Sequence, residues 1–168
     1  MLDSIKDEIR KKVWRLLEES DVARFPRPVY GRIPNFAGAE AAAIKLASLP
    51  EFRRARIVKV NPDSPQRPVR LLALRMGKLL LMPTPRIREG FLLLDPRKIG
   101  QTNLNYASTI RGAFRFGNRL GLDELPRVDM IVVGSVAVSL NGARLGKGEG
   151  YSELEYGILR ELGLVDDN

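Results

Sequence analysis

The chain has 168 residues, of which 44% are hydrophobic and 29% are charged, a composition typical of one globular domain with its own core. It contains neither cysteine nor histidine, which excludes disulfides, thiolate nucleophiles, zinc sites and histidine general bases and restricts any metal to hard cations bound by oxygen. The net charge of +8 favours anionic ligands, although 20 acidic residues are interspersed among the 28 basic ones.

The first predicted element is an amphipathic helix over residues 4–20. Its apolar residues recur at three- and four-residue spacing, namely Ile5, Ile9, Val13, Leu16 and Leu17. Lys6 and Arg10 lie four residues apart and share a second face of this helix, where they either hold an anion or remain ordinary solvated charges. Residues 21–37 then form an irregular arm, because three prolines interrupt any helix there.

Helices and strands alternate through the middle of the chain. The predicted helices cover residues 38–49 and 66–76, and the predicted strands cover residues 56–60, 78–82 and 90–94. This order predicts a βαβ unit and a mostly parallel sheet, in which ligands gather beyond the carboxyl ends of the strands. We therefore expect the loops at 61–64 and 84–88 to share one edge of the sheet. Residues 106–120 predict a further helix, weakened by its glycines.

A strand, a glycine-rich loop and a helix follow in that order. Residues 130–140 are an apolar, β-branched run typical of a strand that is covered on both faces. Residues 141–151 form the loop, which we expect at the same edge of the sheet as the two loops before it. Ser152 and Glu155 have capping-box spacing, which predicts the start of an amphipathic helix that ends near residue 162.

Three alternating glycines suggest what this loop could bind. Gly146, Gly148 and Gly150 can adopt positive φ or let a ligand approach the backbone closely. The free N–H groups of such a loop and the dipole of the following helix suit an anionic phosphate, and the charges of Arg144 and Lys147 favour the same ligand. The spacing matches neither the P-loop nor the dinucleotide fingerprint, so a plain surface turn remains the alternative for the glycines alone.

The loop sequence Arg144-Leu-Gly-Lys-Gly-Glu-Gly-Tyr151 resembles the glycine loop of the 5-formyltetrahydrofolate cyclo-ligase family, also called methenyltetrahydrofolate synthetases. The Lys6-x-x-x-Arg10 pair, and Gly77-Lys78 before a predicted strand, fit the same family, so the resemblance covers nearly the whole chain. It extends to the branch of methenyltetrahydrofolate synthase domain-containing proteins in four stretches: residues 25–30, 32–36, 58–66 and 81–86.

The resemblance implies a three-layer α/β/α sandwich with a mostly parallel sheet, akin to sugar-phosphate isomerases and coenzyme A transferases. It also implies that residues 1–168 form a single cyclo-ligase-like domain without the family's C-terminal strands, either as a monomer or as a homodimer. An isomerase on the same fold stays open, although the sequence nominates no general base for it. Since no apolar run approaches the ~20 residues that span a bilayer and no secretory signal is visible, we expect a cytoplasmic protein without a membrane partner.

The family's reaction uses ATP and Mg²⁺ to close 5-formyltetrahydrofolate to 5,10-methenyltetrahydrofolate, a step of folate and one-carbon metabolism. By resemblance, the residues that bind ATP are Lys6, Arg10, Arg144, Leu145, Gly146, Lys147, Gly148, Glu149, Gly150 and Tyr151. Arg10, Arg144 and Lys147 would also act in catalysis, by neutralising charge on the phosphoryl group that is transferred.

The implied substrate and metal contacts depart in part from the family's pattern. Tyr151 would stack on the pterin ring of the reduced folate, and Asp63 is the nearest candidate for the family's folate-binding glutamate. The family has Tyr-Tyr-Asp where this chain has Tyr151-Ser152-Glu153, so one stacking ring is lost and Glu153 would bind Mg²⁺ on a longer arm. These departures leave a non-catalytic nucleotide- or pterin-binding module as the alternative. RNA binding, suggested by the charge of +8, ranks last because few aromatic residues are available to stack on bases.

Overall fold

The computed structural model describes residues 2–166 of the chain. Its helices are α1 (Leu2–Glu19), α2 (Ala39–Ser48), α3 (Pro50–Arg54), α4 (Arg67–Arg75), α5 (Pro96–Ile99), α6 (Leu104–Ala107), α7 (Ile110–Phe116) and α8 (Tyr151–Glu161). Its strands are β1 (Ala23–Arg24), β2 (Asn35–Phe36), β3 (Ile57–Val60), β4 (Leu79–Pro83), β5 (Phe91–Leu94), β6 (Asn118–Leu120), β7 (Met130–Val132), β8 (Ala137–Val138) and β9 (Arg144–Leu145). None of the helices within residues 2–166 has both the length and the apolar composition that crossing a bilayer requires.

Five strands form the central sheet, in the order β6-β5-β4-β3-β7. β3 pairs in parallel with β4 and β7, so that Val58 aligns with Leu80 on one side and with Met130 on the other. β5 runs antiparallel to β4 and β6, which leaves four of the five strands pointing the same way. The predicted mostly parallel sheet is therefore confirmed. β5 is reversed because residues 84–90 are too few for the crossover of about a dozen residues that a parallel pair requires.

Helices cover both faces of this sheet, because successive side chains of a strand point to opposite faces. Leu80 and Met82 of β4 belong to a core cluster that they share with α2, α4, α6 and α7. Leu81 lies between them in sequence and packs on the other face, in a cluster with Leu159 of α8. This arrangement confirms the predicted three-layer α/β/α sandwich.

α1 packs on the arm of residues 21–37 through Trp14 and through part of the face that its sequence pattern indicates, namely Val13 and Leu17. Trp14 is buried, and its indole Nε1 donates to the carbonyl of Arg32 at 3.0 Å. Three apolar residues of the predicted face are instead exposed: Ile5, Ile9 and Leu16. The apolar spacing therefore predicted the helix correctly and its buried side only in part, because the buried side is centred between Val13 and Trp14.

The predicted strand over residues 130–140 is wrong beyond Val132. β7 ends there, and β8 pairs antiparallel with β9 in a separate hairpin whose turn contains Gly142 at a φ of +86°. Val138 and Leu140 are exposed, because this hairpin is not part of the five-stranded sheet. The glycine loop therefore follows a hairpin strand and not a central strand.

The helix predicted over residues 106–120 is interrupted. α6 ends at Ala107, and the hydroxyl of Thr109 accepts the N–H of Gly112 at 3.0 Å, which caps a new helix, α7. Gly117 is the C-cap of α7, and the chain then continues as the edge strand β6. A local hydroxyl cap thus divides a segment that helical periodicity alone treats as continuous.

Candidate functional site

A cavity of about 750 Å³ lies where β3 and β4 end. Its wall combines α1, the arm, the loops after β3 and β4, and the glycine loop with the start of α8. All the residues predicted to bind ATP, substrate or metal line this one cavity: Lys6, Arg10, Asp63, Arg144, Leu145, Gly146, Lys147, Gly148, Glu149, Gly150, Tyr151 and Glu153. The loops expected to share the carboxyl edge of the sheet do meet here.

The glycine loop leads directly into α8, whose first residue is Tyr151. Gly150 is the N-cap, with a φ of +75°, and no side chain caps the helix. The predicted capping box is therefore wrong, since Ser152 lies within the first turn and the buried Glu155 pairs with Lys59. The first turn of a helix leaves N–H groups without a partner inside the helix. The residues of this turn border the cavity, where an anion can accept hydrogen bonds from these N–H groups.

Two of the loop glycines have guanidinium groups packed against their backbone. Gly148 has a φ of +104°, and a Cβ there would lie 3.4 Å from Cζ of Arg10. A Cβ on Gly146 would lie only 2.9 Å from Nη2 of Arg144, so that the guanidinium would have to move. The missing side chain at Gly146 lets Arg144 lie directly against the loop backbone, whereas a Cβ on Gly148 would meet Arg10 at ordinary van der Waals distance.

Arg10 ties α1 to the glycine loop. Its Nε donates to the carbonyl of Gly146 at 2.8 Å, and its side chain is mostly buried. Lys6, one turn earlier, is partly exposed and borders the same cavity. The interpretation of both residues as ordinary solvated charges is therefore wrong for Arg10, which the fold holds against the loop.

Arg144 holds the glycine loop against the segment that follows β7. Its Nη2 donates to the carbonyl of Gly134 at 3.0 Å, and its Nε donates to the hydroxyl of Ser135 at 3.1 Å. Its Nη1 pairs with Glu153, the predicted metal ligand. Within residues 2–166, acidic side chains do not form a group of three or more that could hold a metal ion. Binding of Mg²⁺ by Glu153 remains a prediction and would compete with this ion pair.

Lys147 brings a further cation to the cavity wall. Its Nζ lies 2.9 Å from one carboxylate oxygen of Glu149, and the other oxygen lies 3.7 Å from the guanidinium of Arg86. Both cations line the cavity together with Tyr151, which is partly buried. An anionic ligand in the cavity would therefore compete with Glu149 for Lys147 and Arg86.

A buried polar cluster beside the cavity was not predicted from the sequence. Lys59 on β3 pairs with Glu155 on α8, and their side chains are only 1% and 4% exposed. Lys59 also donates to the Asn61 side chain at 2.9 Å, and that amide donates to Glu155 at 3.3 Å. Burial lowers the pKa of Lys59 and raises the pKa of Glu155. The available signal was one lysine in an otherwise apolar strand, which does not reveal the acid that faces it.

Asp63, the predicted substrate contact, lies on a loop that Arg70 holds in place. Arg70 is buried, and its Nη1 donates to the carbonyls of Asn61 at 2.6 Å and of Asp63 at 3.0 Å. Burial lowers the pKa of Arg70 to about 10, so its guanidinium is still charged at neutral pH. Burial also raises the pKa of the Asp63 carboxyl, against the opposing charges of Lys147 and Arg70. The carboxyl borders the cavity, where it can accept hydrogen bonds from a ligand.

Replacing Asp63 with asparagine is expected to stabilise the ligand-free protein at neutral pH. Burial raises the pKa of this carboxyl in the folded state, so the folded protein binds its proton more tightly and loses stability as the pH rises above about 4. Asparagine removes this titration. Urea unfolding at about pH 4 and about pH 7 should show a smaller loss of stability in Asp63→Asn than in the wild type. Equal losses in the two proteins would contradict the inferred pKa shift.

The 5-formyltetrahydrofolate cyclo-ligase family model matches residues 3–167. The chain is 48% identical over 162 residues to a methenyltetrahydrofolate synthase domain-containing protein of Mus musculus, and 44% identical over 162 residues to one of Homo sapiens. These matches cover 95% of the chain in both cases but 44% and 42% of the relatives, so the chain spans less than half of their length.

A solved structure agrees with the family match. The fold is similar to the NMR structure of Aquifex aeolicus 5,10-methenyltetrahydrofolate synthetase, with a TM-score of 0.51 at 25% identity. The similarity covers 93% of this chain and 72% of that one. The family resemblance seen in the sequence is thereby confirmed.

Proposed function

Because the chain belongs to the 5-formyltetrahydrofolate cyclo-ligase family, we propose that it uses ATP to close 5-formyltetrahydrofolate, or a related reduced pterin, to the 5,10-methenyl form. The observation that carries this proposal is the contact of Arg10 with the glycine loop, at the start of α8 and in the wall of one cavity. A helix N-terminus, a glycine backbone and several cations thereby border the same space as the carboxyl of Asp63.

The glycine loop is suited to the triphosphate of the nucleotide. The start of a helix carries a partial positive charge of about +0.5 and offers free N–H groups to phosphate oxygens. Lys6, Arg10 and Lys147 add full positive charges around the same cavity. Phosphoryl transfer depends mainly on positioning and charge neutralisation, so a site without cysteine or histidine can support it.

Transfer of the γ-phosphoryl group from ATP to the formyl oxygen, with release of ADP, would make that oxygen a leaving group, so that N10 could close the ring with release of phosphate and a proton. Arg10 and Lys147 would neutralise charge on the transferred group. Arg144 would hold the loop in position through its hydrogen bonds to the segment after β7. Tyr151 would offer its ring to the pterin, and Asp63 would accept hydrogen bonds from the amino groups of the pterin.

The carboxylates near the loop fit a magnesium ion that is bound mainly by phosphate. Mg²⁺ usually takes one or two protein carboxylates together with substrate phosphates and water, so a cluster of three acids is not required. Glu153 borders the cavity one turn from the glycine loop and supplies a hard oxygen donor. When bound, the ion would offset the negative charge of the phosphates.

Replacing Gly148 with alanine is expected to weaken ATP binding about tenfold, because alanine disfavours the φ of +104° seen in this loop by about 1–2 kcal/mol and the relaxed loop would have to return to it to bind ATP. The new methyl group would only touch Arg10, so the expected effect comes from the backbone conformation. Calorimetric titration with Mg-ATP measures the effect. Gly157→Ala within α8 is the matched control, since no atom lies within 4 Å of its Cβ position. It should leave ATP affinity unchanged and stabilise α8 by about 0.5–1 kcal/mol. Wild-type ATP affinity in Gly148→Ala would contradict the role of the loop.

A binding module without catalysis is the second candidate, and the ion pair between Arg144 and Glu153 favours it. That pair engages the carboxylate that the resemblance assigns to Mg²⁺, and Ser152 provides no second aromatic ring beside Tyr151. Such a module would bind ATP and a reduced pterin in the same cavity and release both unchanged.

Incubation with Mg-ATP and 5-formyltetrahydrofolate tests the proposed function, with the absorbance of the methenyl product as the signal. We expect product formation that depends on ATP and disappears in an Arg144→Ala, Lys147→Ala double variant. If the wild type formed the product no faster than this double variant, the proposed enzymatic function would be refuted. Calorimetric binding of ATP without turnover would instead support the binding module.

A further inference from the structure

α1 carries a second apolar face that the fold leaves uncovered. The helix packs on the arm through Val13, Trp14 and Leu17, which lie on one side of it. A different side carries four further apolar side chains that are 42–66% exposed, and we call them the α1 stripe: Leu2, Ile5, Ile9 and Leu16. Residues three, four and seven positions apart share one face of a helix, so these side chains form one line along α1.

The α1 stripe differs from the single apolar residues that every protein surface contains. Isolated exposed side chains are normal, whereas grouped ones commonly mark a surface that another protein covers. Alternating steps of three and four residues are the pattern through which helices pair in coiled coils. Lys12 occupies the polar position within this pattern, which lowers the stability of such a pair without preventing it, because the stem of a lysine can lie along an apolar surface.

The stripe lies outside the ligand cavities. The first cavity is at the carboxyl edge of the sheet, a second cavity of about 650 Å³ lies beside α4, α6 and α7, and the stripe residues line neither of them. Apolar surface continues beside α1, because Val138 is 75% exposed and lies two residues from Val136, which is buried in one cluster with Trp14. The stripe is therefore free to bind a protein while both cavities are occupied.

Charged side chains beside the stripe are complementary to those of a second copy of the chain. Glu8 and Arg15 are seven residues apart, so they flank the stripe on the same side, and both are exposed. Neither forms an ion pair within residues 2–166. When two such helices pack antiparallel about a two-fold axis, Glu8 of each copy lies opposite Arg15 of the other. In a parallel pair, Glu8 would face Val13 and these two ion pairs would not form.

We propose that the α1 stripe binds the α1 stripe of a second copy of this chain, with the two helices antiparallel. Ile5 of each copy then packs beside Leu16 of the other, and Ile9 lies near the centre of the contact. Arg10 contacts the glycine loop from another side of α1, so the dimer is independent of the proposed function. One pair of short helices covers less than the ~1,200–2,000 Å² of a stable interface, so the dimer is reversible and forms at about 10–100 µM protein.

Sedimentation velocity of the wild type over about 1–200 µM protein tests the dimer, since oligomerisation depends on concentration by mass action. We expect the mean mass to rise with concentration toward twice the monomer mass. Ile9→Glu should weaken association tenfold or more, because it buries two carboxylates in an apolar contact. Ile44→Glu on α2 is the matched control, because Ile44 is 62% exposed and lies outside the stripe. It should associate like the wild type.

Two results would overturn the dimer through α1. One is a wild type with the mass of a single chain at every concentration, which would leave the stripe to a partner of another sequence. The other is association of Ile9→Glu that equals that of the wild type or of Ile44→Glu. Urea unfolding of both variants checks that they keep the fold, which exposed positions should allow.

Charge reversal and crosslinking test the antiparallel orientation. Glu8→Arg and Arg15→Glu should each weaken the dimer, and the double variant Glu8→Arg, Arg15→Glu should recover wild-type association. Because the chain has no cysteine, Ile5→Cys and Leu16→Cys each introduce a sole thiol. A mixture of these two variants should form a disulfide-linked dimer faster than either variant alone. Faster crosslinking of each variant alone, or a double variant weaker than both single charge reversals, would overturn the antiparallel pair.

Discussion

Replacing Lys147 with methionine is expected to lower kcat/KM for the proposed ATP-dependent cyclisation about a hundredfold or more. Lys147 lies between two loop glycines, borders the first cavity and forms its ion pair with Glu149 of the same loop. Removing one positioned donor from a developing negative charge costs ~10²–10³ in rate in comparable sites. Methionine keeps most of the apolar stem, so the loop should retain its packing. Initial rates of methenyl formation over a range of ATP concentrations measure the effect.

Lys45→Met on α2 is the matched control, because Lys45 is exposed and borders neither cavity. It should keep wild-type kcat/KM. Both variants should unfold within about 0.5 kcal/mol of the wild type, which separates lost chemistry from lost folding. Activity of Lys147→Met within about threefold of the wild type would contradict the role assigned to this side chain.

Replacing Lys59 with methionine is expected to lower the free energy of unfolding by about 3 kcal/mol or more. The Glu155 carboxylate would then be buried with no cation beside it, and the hydrogen bond from Asn61 does not replace a full charge. Because Glu155 lies on α8, the same change should also loosen the helix into which the glycine loop leads. Urea unfolding of the variant and the wild type measures the loss.

The pH dependence and a second substitution identify the cause. Without Lys59, burial raises the pKa of Glu155 with no opposing charge from this lysine, so Lys59→Met should be most stable where the carboxyl is protonated. Its stability should then fall as the pH rises through the raised pKa. Lys59→Met, Glu155→Leu should recover most of the loss, because a well-packed apolar pair can replace a buried ion pair. The ion pair would not stabilise the fold in this way if Lys59→Met unfolded like the wild type and the double variant were less stable than Lys59→Met.

Local sequence patterns predicted the parts of the fold that local physics determines. Lys6 and Arg10 were predicted to share a helix face, because four-residue spacing fixes the direction of side chains in any helix. Strands were predicted over residues 56–60 and 78–82 from short apolar runs that a proline follows, and the structure has them at Ile57–Val60 and Leu79–Pro83. The structure brings the cationic pair and the glycine loop into the wall of one cavity, while their roles with ATP stay predictions.

Features that depend on distant residues were not predictable in this way. The pair of Lys59 and Glu155 joins positions 96 residues apart, and no local pattern links them. The hairpin of β8 and β9 contains Val138, which is β-branched but exposed, since β-propensity does not distinguish a central strand from an isolated hairpin. Likewise, the hydroxyl of Thr109 ends one helical segment and starts another without altering the apolar period.

The most direct measurement is a titration of isotopically labelled protein with Mg-ATP, followed through the backbone amide resonances. The central claim is that the amides of the glycine loop and of the start of α8, together with Arg10, bind the triphosphate. We expect the largest changes in chemical shift at Gly146, Gly148, Gly150 and Tyr151, with a further change at the Nε–H of Arg10. Saturating nucleotide that leaves these resonances unchanged, or that shifts only residues outside the first cavity, would contradict the claim.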